Sequence, residues 1–104
     1  MPFIYTIVNN RTQQTYVGKA LNVKARWKAH RVDANRADPT SYIGRALRKH
    51  GVVNFNFTIV EECPSEEAAY AAEVRWISAL GSISPGGYNL DSGGMGGKTA
   101  SASL

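Results

Sequence analysis

The hydrophobic residues of this chain fall into short β-branched and aromatic runs near the N-terminus and into helically spaced stripes further on. Phe3 to Val8 and Thr15 to Lys19 are two such runs, and the turn-prone Asn9-Asn10-Arg11-Thr12 lies between them, which predicts a β-hairpin. With Val8 paired to Gln13, the register sets Tyr5 directly opposite Tyr16, so that both phenols leave one face of the sheet. A slip of one residue would send them to opposite faces. Asn22 then caps a helix running to about Asp33, with Val23, Trp27 and Val32 as its apolar stripe. Arg26 and His30, spaced i, i+4, share an edge of that helix beside the stripe.

A second helix is predicted from Asp38-Pro39, with proline at the first helical position, to Gly51, with Ile43 and Leu47 facing inward. Phe55, Phe57 and Ile59 alternate with polar residues as far as Val60, the pattern of a half-buried third strand. Ser65 caps a third helix whose first turn carries Glu66 and Glu67, and Ala69, Glu73, Trp76 and Leu80 lie on its inward stripe. An unpaired carboxylate there is costly, so Glu73 requires an arginine, a metal ion, or both. Beyond Leu80, Ser84-Pro85-Gly86-Gly87 reads as a loop and Tyr88-Asn89-Leu90 as a short extended piece. The order β-β-α-α-β-α describes a small α+β domain with a three-stranded, mainly antiparallel sheet flanked by helices.

The chain has 104 residues, enough for one modest core, and its 43% hydrophobic content is that of a globular protein. No apolar run approaches the roughly eighteen residues of a membrane span, and the N-terminus lacks the charged and apolar regions of an export signal. The lone Cys63 can form no intrachain disulfide and is a poor start for a structural zinc site. The expected setting is intracellular, and the expected domain is 1–94, followed by a flexible Gly/Ser-rich tail or linker at 95–104. Most of the twelve Lys and Arg fall between Lys19 and Lys49, whereas Glu61, Glu62, Glu66, Glu67 and Glu73 dominate the acidic count. A strongly positive region of this kind is the footprint of phosphate-backbone binding, although a solvated basic helix face produces the same charge.

Taken singly, the candidate residues have plain structural readings. Tyr5 and Tyr16 are amphipathic strand tyrosines, Arg26 a surface residue, His30 a half-buried histidine, Glu73 an acid paired with Arg26 or Arg75, and Asn89 a loop residue satisfying local backbone. Together, a phenol, a guanidinium, an imidazole and a carboxylate are what a metal-assisted phosphodiesterase needs.

Their order and spacing resemble the GIY-YIG nuclease superfamily, most of all the catalytic domains of phage and intron homing endonucleases. Phe3-Ile4-Tyr5 stands in the place of the first signature tripeptide, Tyr16-Val17-Gly18 in that of the second, and Arg26-Trp27-Lys28-x-His30 in that of the catalytic helix. Arg48-Lys49-His50-Gly51, Glu73-x-x-Trp76-Ile77 and Gly87-Tyr88-Asn89-Leu90 are similar to the later blocks, so the resemblance covers about residues 3 to 94. Phe3 replaces the signature's glycine and Val17 its isoleucine, leaving both tyrosines in place. The literal string Tyr42-Ile43-Gly44 is a decoy, because it falls in the second helix after the arginine. It is assigned no catalytic role, though Tyr42 could lie near DNA.

The resemblance implies a central first strand and a DNA endonuclease activity of homing or restriction type, with structure-specific repair nucleases and a non-catalytic binding module of the same fold as alternatives. It implies one Mg²⁺ or Mn²⁺ at Glu73, Arg26 on the phosphate, Tyr5 as general base with His30 receiving or orienting the proton, Tyr16 positioning water or phosphate, and Asn89 holding the geometry. Lys19, Lys24, Lys28, Arg31, Arg45, Arg48 and Lys49 become candidate contacts to the duplex backbone. A separate DNA-binding domain or subunit is a further possible partner.

Overall fold

The hairpin forms from β1 (Phe3–Asn9) and β2 (Thr15–Ala20), and in this computed structural model, which describes residues 1–93, its register is displaced by two residues from the expected one. Tyr5 faces Gly18 and Tyr16 faces Ile7. The cause lies in the turn. Asn9 remains in the strand and closes the loop, donating from its N–H to the Gln14 carbonyl (2.9 Å) and accepting from the Gln13 N–H (2.7 Å). Its buried side chain accepts from the N–H groups of Arg11 and Thr12, and Gln13 takes the left-handed conformation (φ 66°) that completes the longer turn. A displacement of two preserves the face, so Tyr5 and Tyr16 remain on one side as diagonal rather than direct neighbours.

β3 (Phe55–Glu62) pairs antiparallel with the other edge of β1, giving the order β2-β1-β3 with the first strand central. It runs two residues past the predicted end at Val60, because a bulge opposite Ile4 and Tyr5 absorbs one residue and lets pairing continue to Phe3. Ile59, expected on the half-buried face, is 48% exposed. A central strand is covered on both faces, which fits the four consecutive buried residues Ile4-Tyr5-Thr6-Ile7.

Three helices cover the sheet: α1 (Val23–Ala34), α2 (Tyr42–His50) and α3 (Glu66–Leu80). Tyr5, Ile7, Ala20, Ile43, Leu47 and Phe55 form the core beneath α1 and α2. Ile4, Val17, Cys63, Ala69, Ala72 and Ile77 form the core beneath α3. The caps at Asn22, Ser41 and Ser65 each accept a backbone N–H three residues on. α2 begins at Tyr42 rather than at Pro39, because Asp33 captures Thr40 and Ser41 before the helix starts. Val32, at 50% exposure, does not belong to the stripe of α1, which ends on the buried Ala34 instead. In α3 the buried positions are Ala69, Ala72, Glu73 and Ile77, while Leu80 turns outward.

After α3 the chain doubles back along the free edge of β2. Tyr88 donates its N–H to the Thr15 carbonyl (2.9 Å), and the Asn89 amide both accepts from the Val17 N–H (2.8 Å) and donates to its carbonyl (2.9 Å). The side chain of Asn89 thus stands in for a strand backbone. Gly87 permits this approach, since a Cβ there would meet the Thr15 carbonyl at 2.6 Å. No helix among the described residues is long and apolar enough to cross a membrane. The expected domain end at 94 and the tail at 95–104 lie outside the described residues.

Candidate active site

Three rings meet on the α1 side of the sheet. Tyr5 comes from the central strand, Tyr16 from the edge strand and His30 from the third turn of α1. Their centroids lie 6.2 Å (Tyr5 to Tyr16), 5.9 Å (Tyr5 to His30) and 5.5 Å (Tyr16 to His30) apart. The Tyr5 hydroxyl and His30 Nε2 are 2.8 Å apart, a hydrogen bond between residues 25 positions distant in sequence. Gly18, the last residue of the second tripeptide, makes the arrangement possible. The Tyr5 ring lies across it, and a Cβ at Gly18 would meet Tyr5 Cε1 at 2.8 Å and press still closer on Cζ and the hydroxyl.

Arg26 stands one helical turn before His30 at the exposed surface, with Nη1 donating to the Lys19 carbonyl (3.2 Å). Its positive charge reaches all three rings, lowering the pKa of each. Burial is nonetheless the larger influence. It raises Tyr5 far above an ordinary phenol, aided by the neighbouring Tyr16, and it raises Tyr16, aided by the charge of Glu73. Burial first and Arg26 second push His30 down from 6.5 to about 4. At neutral pH both phenols are therefore protonated and the imidazole is neutral.

Glu73 is 3% exposed, on the inward stripe of α3 as expected. It lines a cavity of about 400 Å³ together with Tyr16, His30, Asn89, Asp91 and the start of α2. Tyr5 is not among the lining residues and is 0% exposed, so of the two phenols it is Tyr16 that faces the cavity. Arg75, an alternative partner considered for Glu73, instead contacts Glu61 (3.4 Å). Among the described residues no three His, Cys, Asp or Glu side chains gather into an all-protein metal cage. A hard cation held by one carboxylate, with water and substrate oxygens completing its shell, fits this donor set.

Asn89 is 7% exposed and fully engaged with Val17 and Ser82, the latter donating from its hydroxyl at 2.7 Å. Lys24, Lys28 and Arg31 on α1, and Arg45, Arg48 and Lys49 on α2, are exposed. Lys19 differs from them: its side chain is 16% exposed, ion-paired to Glu66 (2.8 Å) and seated over the Tyr70 ring.

Asp33 is not among the site residues expected from the sequence. Its carboxylate accepts from Thr40 N–H (2.8 Å) and hydroxyl (2.9 Å), and from Ser41 N–H (3.2 Å) and hydroxyl (2.7 Å). These bonds, the Thr40 N–H foremost, hold its pKa well below the ordinary carboxylate range. They also explain the decoy tripeptide, because a Cβ at Gly44 would collide with the Asp33 carboxylate. The available signal was an acid inside a basic stretch with Thr-Ser seven residues on.

Comparison with known proteins agrees with this geometry. The model of the GIY-YIG catalytic domain matches residues 1–89. Intron-associated endonuclease 1 of Enterobacteria phage T4 is 37% identical over 89 residues, covering 84% of this chain and 36% of that protein. The putative endonuclease segC of the same phage is 30% identical over 95 residues, covering 91% and 44%. This chain therefore spans less than half of either curated relative. The structure of the catalytic domain of homing endonuclease I-TevI superposes with a TM-score of 0.76 at 32% identity, covering 88% of this chain and 99% of that one.

Proposed function

The chain belongs to the GIY-YIG family, and from that premise we propose that it is the catalytic domain of a homing-type DNA endonuclease that hydrolyses phosphodiester bonds with one Mg²⁺ or Mn²⁺ at Glu73. Use of divalent ions is general in the family. The observation that carries the reading is the convergence of Tyr5, Tyr16 and His30 within reach of the Arg26 charge, with Glu73 lining the same cavity as Tyr16 and His30.

Hydrolysis needs a water stripped of a proton, a stabilised phosphorane-like charge and a supported leaving group. Tyr16 meets the water, because it is the phenol open to the cavity. The Tyr5 and Tyr16 rings are neighbours, their centroids 6.2 Å apart, and the Tyr5 hydroxyl hydrogen-bonds to His30 Nε2 at 2.8 Å. In the proposed relay the water gives its proton to Tyr16 as Tyr16 gives its own to Tyr5, once the two neighbouring hydroxyls meet on substrate binding, and Tyr5 gives its own to His30 Nε2, which ends as imidazolium. This role requires the Nδ1–H tautomer of His30. The general-base role expected of Tyr5, with His30 receiving or orienting the proton, becomes one step of this relay in the proposal, since Tyr5 is 0% exposed. As the water oxygen bonds to phosphorus, the bond to the 3′-oxygen breaks, and the Arg26 guanidinium offers planar charged donors to the non-bridging oxygens. Glu73 would hold the divalent ion, which when bound would supply Lewis-acid chemistry to the site. Asn89 holds β2, and Tyr16 with it, against the returning chain. The exposed Lys24, Lys28, Arg31, Arg45, Arg48 and Lys49 contact the duplex backbone, and Lys19 joins them on leaving Glu66. Target recognition falls to a separate DNA-binding part, in a phage-infected or bacterial cell.

Supercoiled plasmid incubated with the protein and Mg²⁺ or Mn²⁺ tests the proposal. The wild type should nick or linearise it, and Arg26→Ala and Glu73→Ala should not. Retention of plasmid without cleavage under either ion would refute the enzyme and leave a binding module.

A further inference from the structure

The cavity extends beyond the residues assigned to the chemistry. Tyr16, His30 and Glu73 line one part, and Thr40, Ser41, Tyr42 and Arg45, at the start of α2, line another. That wall is held firmly. The hydroxyls of Thr40 and Ser41 are committed to Asp33, and the glycine at 44 lets the carboxylate sit against the first helical turn. Tyr42 is half-buried, with its ring edge-on to Tyr88 (5.7 Å, 78°). Arg45 is exposed one turn further on, its Nη1 near the Pro39 carbonyl (3.4 Å).

A fixed aromatic ring beside a guanidinium, continuous with a phosphate-cleaving site, matches a sugar and its phosphate. Resting on the endonuclease reading, we infer that Tyr42 and Arg45 form a subsite for the nucleotide next to the scissile phosphate. Arg45 binds the adjacent phosphate, and Tyr42 packs on the intervening deoxyribose. Both act as binding and positioning residues for the substrate and take no part in bond cleavage.

The experiment uses the full chain and a set of identical duplexes, each with one neutral methylphosphonate at a successive position around the cut. In the wild type, one substitution adjacent to the scissile phosphate should lower kcat/KM roughly tenfold through loss of a charge-assisted hydrogen bond. Arg45→Gln should raise KM by a similar factor with kcat within about twofold, and the same methylphosphonate should then have little further effect. Arg45→Lys should restore part of the loss. Tyr42→Ala should raise KM. Arg45 is exposed, so its arm stands even if Tyr42→Ala unfolds by losing Tyr88. Full sensitivity of Arg45→Gln to every methylphosphonate would overturn the subsite while leaving the endonuclease intact. A wild type that cuts none of the duplexes would remove the endonuclease and the subsite together.

Discussion

Gly18→Ala should damage both the stability and the activity of this domain, although it adds a single methyl group to a strand. On conformational grounds alone the change is favourable, since replacing glycine restricts the unfolded chain and stabilises by about 0.4–1 kcal/mol where the backbone permits. The structure opposes that gain. The new Cβ would stand 2.8 Å from Tyr5 Cε1 and nearer to Cζ and the hydroxyl, whereas carbon atoms pack comfortably at about 3.5–4.0 Å. The ring must retreat by about 1 Å into a core where Tyr5 has 0% exposure, and overpacking of this kind costs about 1–3 kcal/mol. The net loss is about 1–2 kcal/mol, or a fall in Tm of roughly 5–15 °C for a domain of this size. A 1 Å displacement also spoils the 2.8 Å bond between Tyr5 and His30, and misplacement on that scale costs on the order of 100-fold in rate. Thermal denaturation by circular dichroism and single-turnover cleavage measure the two effects separately. In a Tyr5→Leu background, which lacks the colliding atoms, Gly18→Ala should cost little further stability. A Gly18→Ala protein with unchanged Tm and rate would refute the packing argument.

Other consequences concern Asp33, His30 and Tyr16. Asp33→Ala removes the acceptor for four donors at the start of α2 and should cost about 2 kcal/mol, measured by urea denaturation. Because the folded pKa of Asp33 is depressed, its contribution is present above the unfolded value of 3.8 and disappears as pH falls below it. His30 behaves differently: its folded pKa of about 4 lies below the unfolded 6.5, so between these values the unfolded chain binds the extra proton. Stability should therefore fall as pH drops from 6.5 toward 4, and His30→Gln should flatten that loss. An NMR titration should find the His30 resonance moving near pH 4, and one centred near 6.5 would contradict the burial argument. Tyr16→Phe should keep the fold and the His30 titration but lower kcat by about 100-fold or more if it is the first proton acceptor, read by single-turnover cleavage at saturating duplex.

The elements were legible in the sequence because caps and strand composition are local signals. Asn22 and Ser65 mark helix starts by side-chain chemistry alone, and Glu73 declared itself by occupying an apolar stripe. Features that depend on distant partners were hidden. The start of α2 is set by Asp33 from the preceding helix, which overrides the local signal at Asp38-Pro39. The hairpin register depends on Asn9, whose side chain braces the turn and also donates to the Tyr88 hydroxyl (3.1 Å), 79 residues away. No pairwise pattern in the hairpin itself contains that information. The structure brings Tyr5, Tyr16 and His30 together and sets Glu73 on the same cavity as Tyr16 and His30, while Arg26 lines a neighbouring hollow beside Lys19; the difference in exposure between the two phenols depends on packing between β1 and α1 and is invisible in sequence. The Lys19 to Glu66 pair likewise joins residues 47 positions apart.

The central claim is that these side chains work as one unit, and a double-mutant cycle across the site tests it most directly. Single-turnover cleavage of one duplex would be measured for the wild type, Arg26→Ala, Glu73→Gln and the double variant, at saturating protein and divalent ion. Each single change should reduce the rate by on the order of 100-fold or more, and the double variant should be little slower than the worse single, as expected for groups that stabilise the same transition state. Fully multiplicative losses, or a Glu73→Gln enzyme that cuts as fast as the wild type, would contradict the account.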